Sequence, residues 1–253
     1  MSNPLEIFNP IIVVPVYNHA KPVAHLVEKI QAFDLPCLLV DDGSESACAM
    51  ALDSLQQKYA DKVEVLHLAQ NQGKGAAVMA GFRHAAKQGF THVLQIDADG
   101  QHEPSDIPGF LAEARQYPQA VICGSPIYDH SVPKARLYGR YATHIWVWIN
   151  TLSFEIRDSM CGFRVYPLGS IIKVLDSNTI GKRMDFDIDI MVRTHWYGIR
   201  VRNRPTHVIY PEDGVSHFDT LRDNVRISKM HTKLFFTMLV TWPAILLRRW
   251  QRP

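Results

Sequence analysis

A chain of 253 residues with 47% hydrophobic side chains can bury one substantial core, and a formal net charge of only +2 excludes a dedicated nucleic-acid binder. The charge is uneven: residues 1–180 carry 14 Lys/Arg against 18 Asp/Glu and residues 181–253 carry 13 against 7, a basic end suited to phosphates or an anionic membrane surface. Cys37, Cys48, Cys123 and Cys161 lack metal-ligand spacing and read as buried thiols of a reducing cytosol, no basic-then-apolar leader marks a signal peptide, and no apolar run reaches the roughly 18–20 residues of a spanning helix.

In chain order, Ile11 to Tyr17 reads as a buried strand closed by Asn18, followed by helical periodicity from about Pro22 to Phe33. Cys37 to Val40 is a second strand, ending in Asp41-Asp42-Gly43-Ser44, and Val63 to Leu68 a third, followed by Asn71-Gln72-Gly73-Lys74-Gly75 and a small-residue helix from Ala76 to Ala86. Val93 to Ile96 is the fourth strand and stops at Asp97-Ala98-Asp99-Gly100-Gln101-His102; Ala120 to Ser125 is the fifth. Strands alternating with helices of this length predict βαβ units and a mostly parallel sheet, which places its ligands beyond the carboxyl ends of its strands. From Arg136 to Leu152 the chain is aromatic and apolar with basic residues at its start, fitting a core helix or one at a bilayer interface. A strand after Asp158, a helix around Asp185–Tyr197, further strand within Ile199–Tyr210 and a polar loop at 211–218 follow. From Ile227 an apolar stripe at i, i+3, i+4 and i+7 predicts an amphipathic helix flanked by Arg226, Lys229, Lys233, Arg248, Arg249 and Arg252. Its densest part, Leu234 to Leu247, would rise only about 20 Å against about 30 Å of hydrocarbon, and Pro243 interrupts it, so it is expected to lie in the interface rather than cross it.

Asp97 and Asp99 carry the chemistry. On an extended backbone i and i+2 share a face, so both carboxylates converge on one point at a strand end, where a hard divalent cation, Mg²⁺ or Mn²⁺, takes carboxylate and phosphate oxygens. Lys74 sits between two glycines that let backbone approach a ligand, but this is neither a Walker loop nor a dinucleotide fingerprint.

Pro15-Val16-Tyr17-Asn18, Val40-Asp41-Asp42-Gly43-Ser44, Asn71-Gln72-Gly73-Lys74-Gly75 and Asp97-Ala98-Asp99-Gly100-Gln101-His102 occur in the order and spacing of family-2 glycosyltransferases of the GT-A fold, and over residues 9 to 220 the chain resembles the polyprenyl-phosphate sugar synthases, the dolichyl-phosphate mannose synthase-like branch. The resemblance implies an α/β fold, Rossmann-like, with a mostly parallel mixed sheet and helices on both faces. It divides the chain into a catalytic domain over 1–220 (nucleotide part about 9–125, acceptor part about 126–220) and a C-terminal amphipathic helix over 221–253. It implies that Pro15, Tyr17 and Asn18 border the nucleotide base, that Asp41 or Asp42 bonds the base or ribose, and that Gly73, Lys74 and Ala98 lie along the donor. Asp97 and Asp99 would hold the metal with Gln101 as a further oxygen ligand, while His102 reads more safely as solvent-exposed.

Within Met184-Asp185-Phe186-Asp187-Ile188-Asp189-Ile190 the likeness puts the family's acidic residue at Asp189, preferred as general base over Asp187; residues at i, i+2 and i+4 of a helix do not share one face. A phosphate-bearing acceptor points to Arg136, Arg140 and Arg164, whose guanidinium groups can bind it bidentately. Asp158 and Arg164 match the family's Asp…Gly-Phe-Arg segment; Ser125-Pro126 stands where relatives tend to show Ser-Arg; His217 is a candidate to close over the diphosphate. The expected activity is a metal-dependent inverting transfer of a sugar from a UDP- or GDP-sugar to a lipid-linked acceptor, by a peripheral protein at the cytoplasmic face of the cell membrane, with homo-oligomerisation left open. The rival readings are a sugar-nucleotide pyrophosphorylase, whose Gly-rich N-terminal signature is absent, and a non-catalytic membrane scaffold on the same fold.

Overall fold

The computed structural model describes residues 8–128, 132, 134–209 and 219–251, without the side chains of residues 134–136. A seven-stranded sheet forms its centre, in the order β3-β2-β1-β4-β6-β5-β7. The strands are β1 (Pro10–Val16), β2 (Cys37–Asp41), β3 (Val63–His67), β4 (His92–Gln95), β5 (Val121–Tyr128), β6 (Arg164–Pro167) and β7 (Val201–Val208). Only β6 is reversed, pairing antiparallel with β4 and β5; the remaining pairs are parallel. Pro126 is tolerated because β5 there pairs only with β7, and β6 reaches no further than Cys123.

The run of apolar residues in β1 reflects burial on both faces. Ile11 and Val13 join a core with α3 (Lys74–Lys87), α6 (Leu168–Asp176) and α7 (Phe186–Trp196), whereas Ile12, Val14 and Val16 join one with α1 (Ala20–Ile30), α2 (Ser46–Lys58) and α4 (Ile107–Gln116). Every residue of α7 is buried, so its sequence carries no amphipathic signal to show which side faces the sheet. Because the chain builds β1-β2-β3 outward and then returns to place β4 on the other side of β1, its direction of growth reverses between β1 and β4, where doubly wound sheets open a crevice.

Helix α5 (Lys134–Thr151) packs against α8 (Thr220–Trp250), which runs unbroken through Pro243 for 31 residues, roughly 46 Å at 1.5 Å per residue. This corrects the shorter, interrupted segment expected from the stripe: by length and composition alone α8 is long enough to cross a membrane. Ile227, Met230, Leu234, Met238 and Ile245 are nevertheless buried against the protein, while Phe236, Leu239, Val240, Trp242, Leu247 and Trp250 are exposed.

His231 on α8 is buried in this seam beside the Asn150 side-chain amide (3.3 Å) and the Trp146 ring, and burial pulls its pKa down to about 4. Between about pH 6.5, the unfolded value, and 4 the unfolded chain takes up a proton that the native seam refuses. Stability from this residue is therefore complete above 6.5 and falls by about 1.4 kcal/mol per pH unit below it, about 3 kcal/mol by pH 4. A His231→Gln variant is expected to show a shallower decline in Tm between pH 6.5 and 4 than the parent; parallel curves would refute the assignment.

Candidate active site

The strand ends at the β1/β4 crevice surround a cleft of about 520 Å³. Pro15, Tyr17, Asp42, Gly73, Lys74, Asp97, Ala98, Asp99 and Gln101 all line it, so most of the residues expected along the donor meet in one place. Two candidates do not. The Asn18 side-chain oxygen accepts from Glu45 N and its own N–H donates to Ser44 Oγ, tying the end of β1 to the turn after β2. Asp41 faces the other way, accepting from Ser44 N and pairing with His67 Nδ1 at 2.8 Å. Of the two neighbouring aspartates, Asp42 is therefore the one at the cleft. Its carboxylate accepts from Gln72 N and Gly73 N, both at 2.8 Å, which fixes the loop before Lys74; burial pushes its pKa up against those two bonds.

Lys74 opens α3, with its ammonium between two carboxylates: it donates to Asp97 Oδ2 (2.7 Å) and Asp187 Oδ2 (2.6 Å). Burial alone would pull the ammonium pKa down, but attraction by Asp187 and Asp97 raises it. The second oxygen of Asp97, Oδ1, is buried without a hydrogen-bond partner. Asp99 accepts from Gln101 N at 3.0 Å, and burial together with the Asp97 charge pushes its pKa up. Two carboxylates that repel each other at a cleft, one with an unpartnered oxygen, suit a divalent cation. Among the described residues no group of three His, Cys, Asp or Glu forms a closed cage, so water, Gln101 or substrate oxygens would complete the shell, as magnesium commonly requires. Gly162 closes the site from behind: a Cβ there would overlap the Asp97 carboxylate. His102, expected in solvent, instead packs its ring 5.5 Å from that of Phe163, and burial holds its pKa down.

The acidic helix α7 departs from the expected preference. Asp189 is turned from the cleft, held by Arg193 Nε at 2.6 Å and Gly181 N at 3.0 Å. Asp187 is the residue that reaches the centre, through Lys74, Gln95 Nε2 (3.4 Å) and Arg164 Nη1 (3.7 Å). The cause is the i, i+2 spacing on a helix, which sends the two carboxylates about 200° apart around the axis.

The arginines expected at an acceptor are also placed differently. Arg164 is completely buried in β6, where its Nη1 donates to Tyr166 Oη and the Asp187 carbonyl, both at 3.0 Å, and so cannot meet an incoming phosphate. Arg140 forms a two-pronged pair with Asp158, through Nε (2.5 Å) and Nη2 (2.7 Å), and this holds the Asp158 carboxyl well below the usual carboxylate range despite its burial. Arg136 lies on α5, its side chain outside the described residues, as is His217. The cations that do line the cleft beside Lys74 are Arg183, Arg222 and Arg226. Arg183 donates to Asn71 Oδ1 at 3.1 Å; Arg226 pairs with Asp223 at 2.8 Å. The Gly181-Lys182-Arg183 run before the aspartates could have flagged Arg183. Arg226 was legible only as a flank of the apolar stripe, and Arg222 lies ahead of it.

Residues 11–170 match the description glycosyl transferase family 2, and the chain belongs to that family. It is 31% identical over 202 residues to a dolichyl-phosphate beta-glucosyltransferase of Mus musculus, covering 71% of this chain and 61% of that protein's length. It is 26% identical over 219 residues to a polyprenol monophosphomannose synthase of Mycolicibacterium smegmatis, covering 81% and 79%. Among solved structures, glucosyl-3-phosphoglycerate synthase of Mycobacterium tuberculosis in complex with Mn²⁺, UDP-glucose and phosphoglyceric acid superposes with a TM-score of 0.65 at 14% identity, over 91% of this chain and 79% of the other. The fold is GT-A, the protein is a glycosyltransferase, and its relatives are of the polyprenyl-phosphate sugar synthase branch that the motifs resemble.

Proposed function

We propose that the protein transfers a sugar from a nucleoside-diphosphate sugar to a polyprenyl phosphate, with inversion and with a divalent metal, at the cytoplasmic surface of a membrane. The observation that carries the reading is the convergence of Asp42, Lys74, Asp97 and Asp99 on one cleft at the β1/β4 crevice. Pro15 and Tyr17 give the base a wall, and Asp42 offers a carboxylate to a base N–H or ribose hydroxyl. Asp97 and Asp99 would hold Mg²⁺ or Mn²⁺, with Gln101 available as a further ligand. When bound, that ion stabilises the negative charge of the departing nucleoside diphosphate. Lys74 and Arg183 border the same space and can carry the rest of that charge.

The choice of acceptor is supported by the charges that face the cleft. A hydroxyl acceptor needs a base, yet Asp189 is committed to Arg193 and Gly181, and Asp187 to Lys74, Gln95 and Arg164. A phosphate monoester arrives already anionic and needs cations to position it; Arg222 and Arg226 line the cleft and would exchange their present partners, Asp219 at 3.7 Å and Asp223 at 2.8 Å, for the phosphate. Those arginines begin the same helix whose exposed Phe236, Val240, Trp242 and Trp250, with Arg248 and Arg249 at its end, form an interfacial face. Crossing a bilayer would instead strip from the domain the seam between Ile227 and Ile245.

The test is NDP release from UDP- and GDP-sugars with Mg²⁺ or Mn²⁺, with a polyprenyl phosphate or the corresponding polyprenol as acceptor, combined with a thermal-shift panel of UDP, GDP, CDP and TDP with and without Mn²⁺. Release is expected only with the phosphate, giving a product of inverted anomeric configuration. One nucleotide should raise the Tm, because a ligand at 100 times its Kd adds about 2.7 kcal/mol. A melt indifferent to every nucleotide would sink the donor site; turnover on the polyprenol would sink the phosphate acceptor.

A further inference from the structure

Lys74 is an unusual neighbour for a cation site. Its ammonium lies within hydrogen-bond distance of Asp97, one of the two carboxylates expected to hold the metal, and of Asp187, whose other oxygen faces the buried Arg164 at 3.7 Å. The backbone around it is fixed. Gly73 N donates to Asp42, Ala76 N donates to Lys182 O at 3.0 Å, and a Cβ on Gly75 would overlap Phe186. Only the four-carbon side chain is left to move, and it borders the open cleft. Asp97 Oδ1 is buried with no hydrogen-bond partner. A dication at Oδ1 would stand beside an ammonium on Oδ2 of the same carboxylate, and like charges at such separation repel strongly in a partly buried site.

We propose that Lys74 is the resident counter-ion of the empty donor site, and that metal binds tightly only together with a nucleotide whose diphosphate draws the ammonium off Asp97. The inference rests on the metal-dependent donor site proposed above and adds an order to its filling. A nucleoside diphosphate supplies several anionic oxygens, so the lysine exchanges Asp97 for phosphate and the carboxylate is released to the metal. Lys74 is thereby a positioning residue that makes metal and nucleotide affinities mutually dependent, each raising the other by the same factor. Without nucleotide, the salt bridges offset the carboxylate charge and metal alone binds weakly.

The experiment is Mn²⁺ titration followed by electron paramagnetic resonance, on the full chain, without nucleotide and with saturating UDP or GDP. Parent protein is expected to bind Mn²⁺ about tenfold or more tighter with its nucleotide than without, a factor equivalent to about 1.4 kcal/mol. Lys74→Met should bind Mn²⁺ alone about tenfold tighter than the parent and lose most of the enhancement. Because that variant also leaves the site one charge more negative, Lys74→Met/Asp187→Asn is measured beside it, restoring the local charge of the parent. Tighter Mn²⁺ binding without nucleotide in the double variant supports displacement of the ammonium itself. Folded variants, judged by circular dichroism, that bind Mn²⁺ no tighter than the parent would overturn the inference while leaving the donor site standing. A parent that binds no Mn²⁺ even with nucleotide would remove both.

Discussion

An Asp99→Asn variant is expected to lose about three orders of magnitude or more in kcat/KM, roughly 4 kcal/mol of transition-state stabilisation, while melting no lower than the parent. The two halves of that result come from the same geometry. Asn keeps the shape of the side chain and an oxygen able to accept from Gln101 N, the single hydrogen bond that the Asp99 carboxylate makes among the described residues. It removes a charge that burial and Asp97 both disfavour in the empty site. The apo protein thus loses nothing from the substitution and is relieved of some repulsion, whereas a loaded donor site loses half of its paired carboxylate grip. The measurements are steady-state kinetics with the nucleotide sugar, and thermal melts with and without nucleotide and Mn²⁺. The nucleotide-dependent rise in Tm seen only with Mn²⁺ in the parent should vanish in the variant. Turnover within tenfold of the parent would mean that these carboxylates do not hold the ion.

The parts of this site that the sequence made legible are those where local pattern and topology coincide. Strands buried on both faces read as apolar runs, so their ends are visible as sudden polar residues, and the chain order of a doubly wound sheet brings the ends of β1, β2 and β4 together. Pro15, Asp42, Lys74, Asp97 and Asp99 meet for that reason. What was not legible depends on how helices are rotated against the sheet. Helix α7 is buried all round, so nothing in its composition says that Asp187, rather than Asp189, turns toward Lys74. Asp158 could have paired with Arg164, close in sequence; the docking of α5 brings Arg140 to it instead, and the reversed strand β6 turns Arg164 inward beneath Asp187. Pro243 read as a break, yet a proline costs a helix one internal hydrogen bond and a local clash, and with α8 packed along the domain the helix continues through it.

Arg140 is expected to be the most damaging of the expected acceptor arginines to remove, and the damage should fall on stability. An Arg140→Met variant keeps the length and much of the apolar stem of the side chain but leaves Asp158, almost entirely buried, without its guanidinium. Deleting one partner of a buried ion pair costs about 3–5 kcal/mol, since the remaining charge is stranded. In a protein of this size each kcal/mol moves Tm by about 2–4 °C, so the melt should fall by roughly 6–20 °C. Met160 N and Cys161 N also donate to the Asp158 carboxylate, at 2.8 and 2.7 Å, so the loss reaches the segment that carries Gly162 against Asp97. The sign with pH is fixed by the lowered pKa of Asp158: its contribution is complete above the ordinary carboxylate value and is lost progressively as pH falls from that value toward the lowered native one, so the gap in Tm between parent and variant should narrow in strong acid. An Asp158→Asn/Arg140→Met pair should recover part of the lost stability, because no unpaired charge is left behind. If Arg140 instead served chiefly to hold the acceptor, Arg140→Met would melt within a few degrees of the parent and raise KM for the polyprenyl phosphate alone.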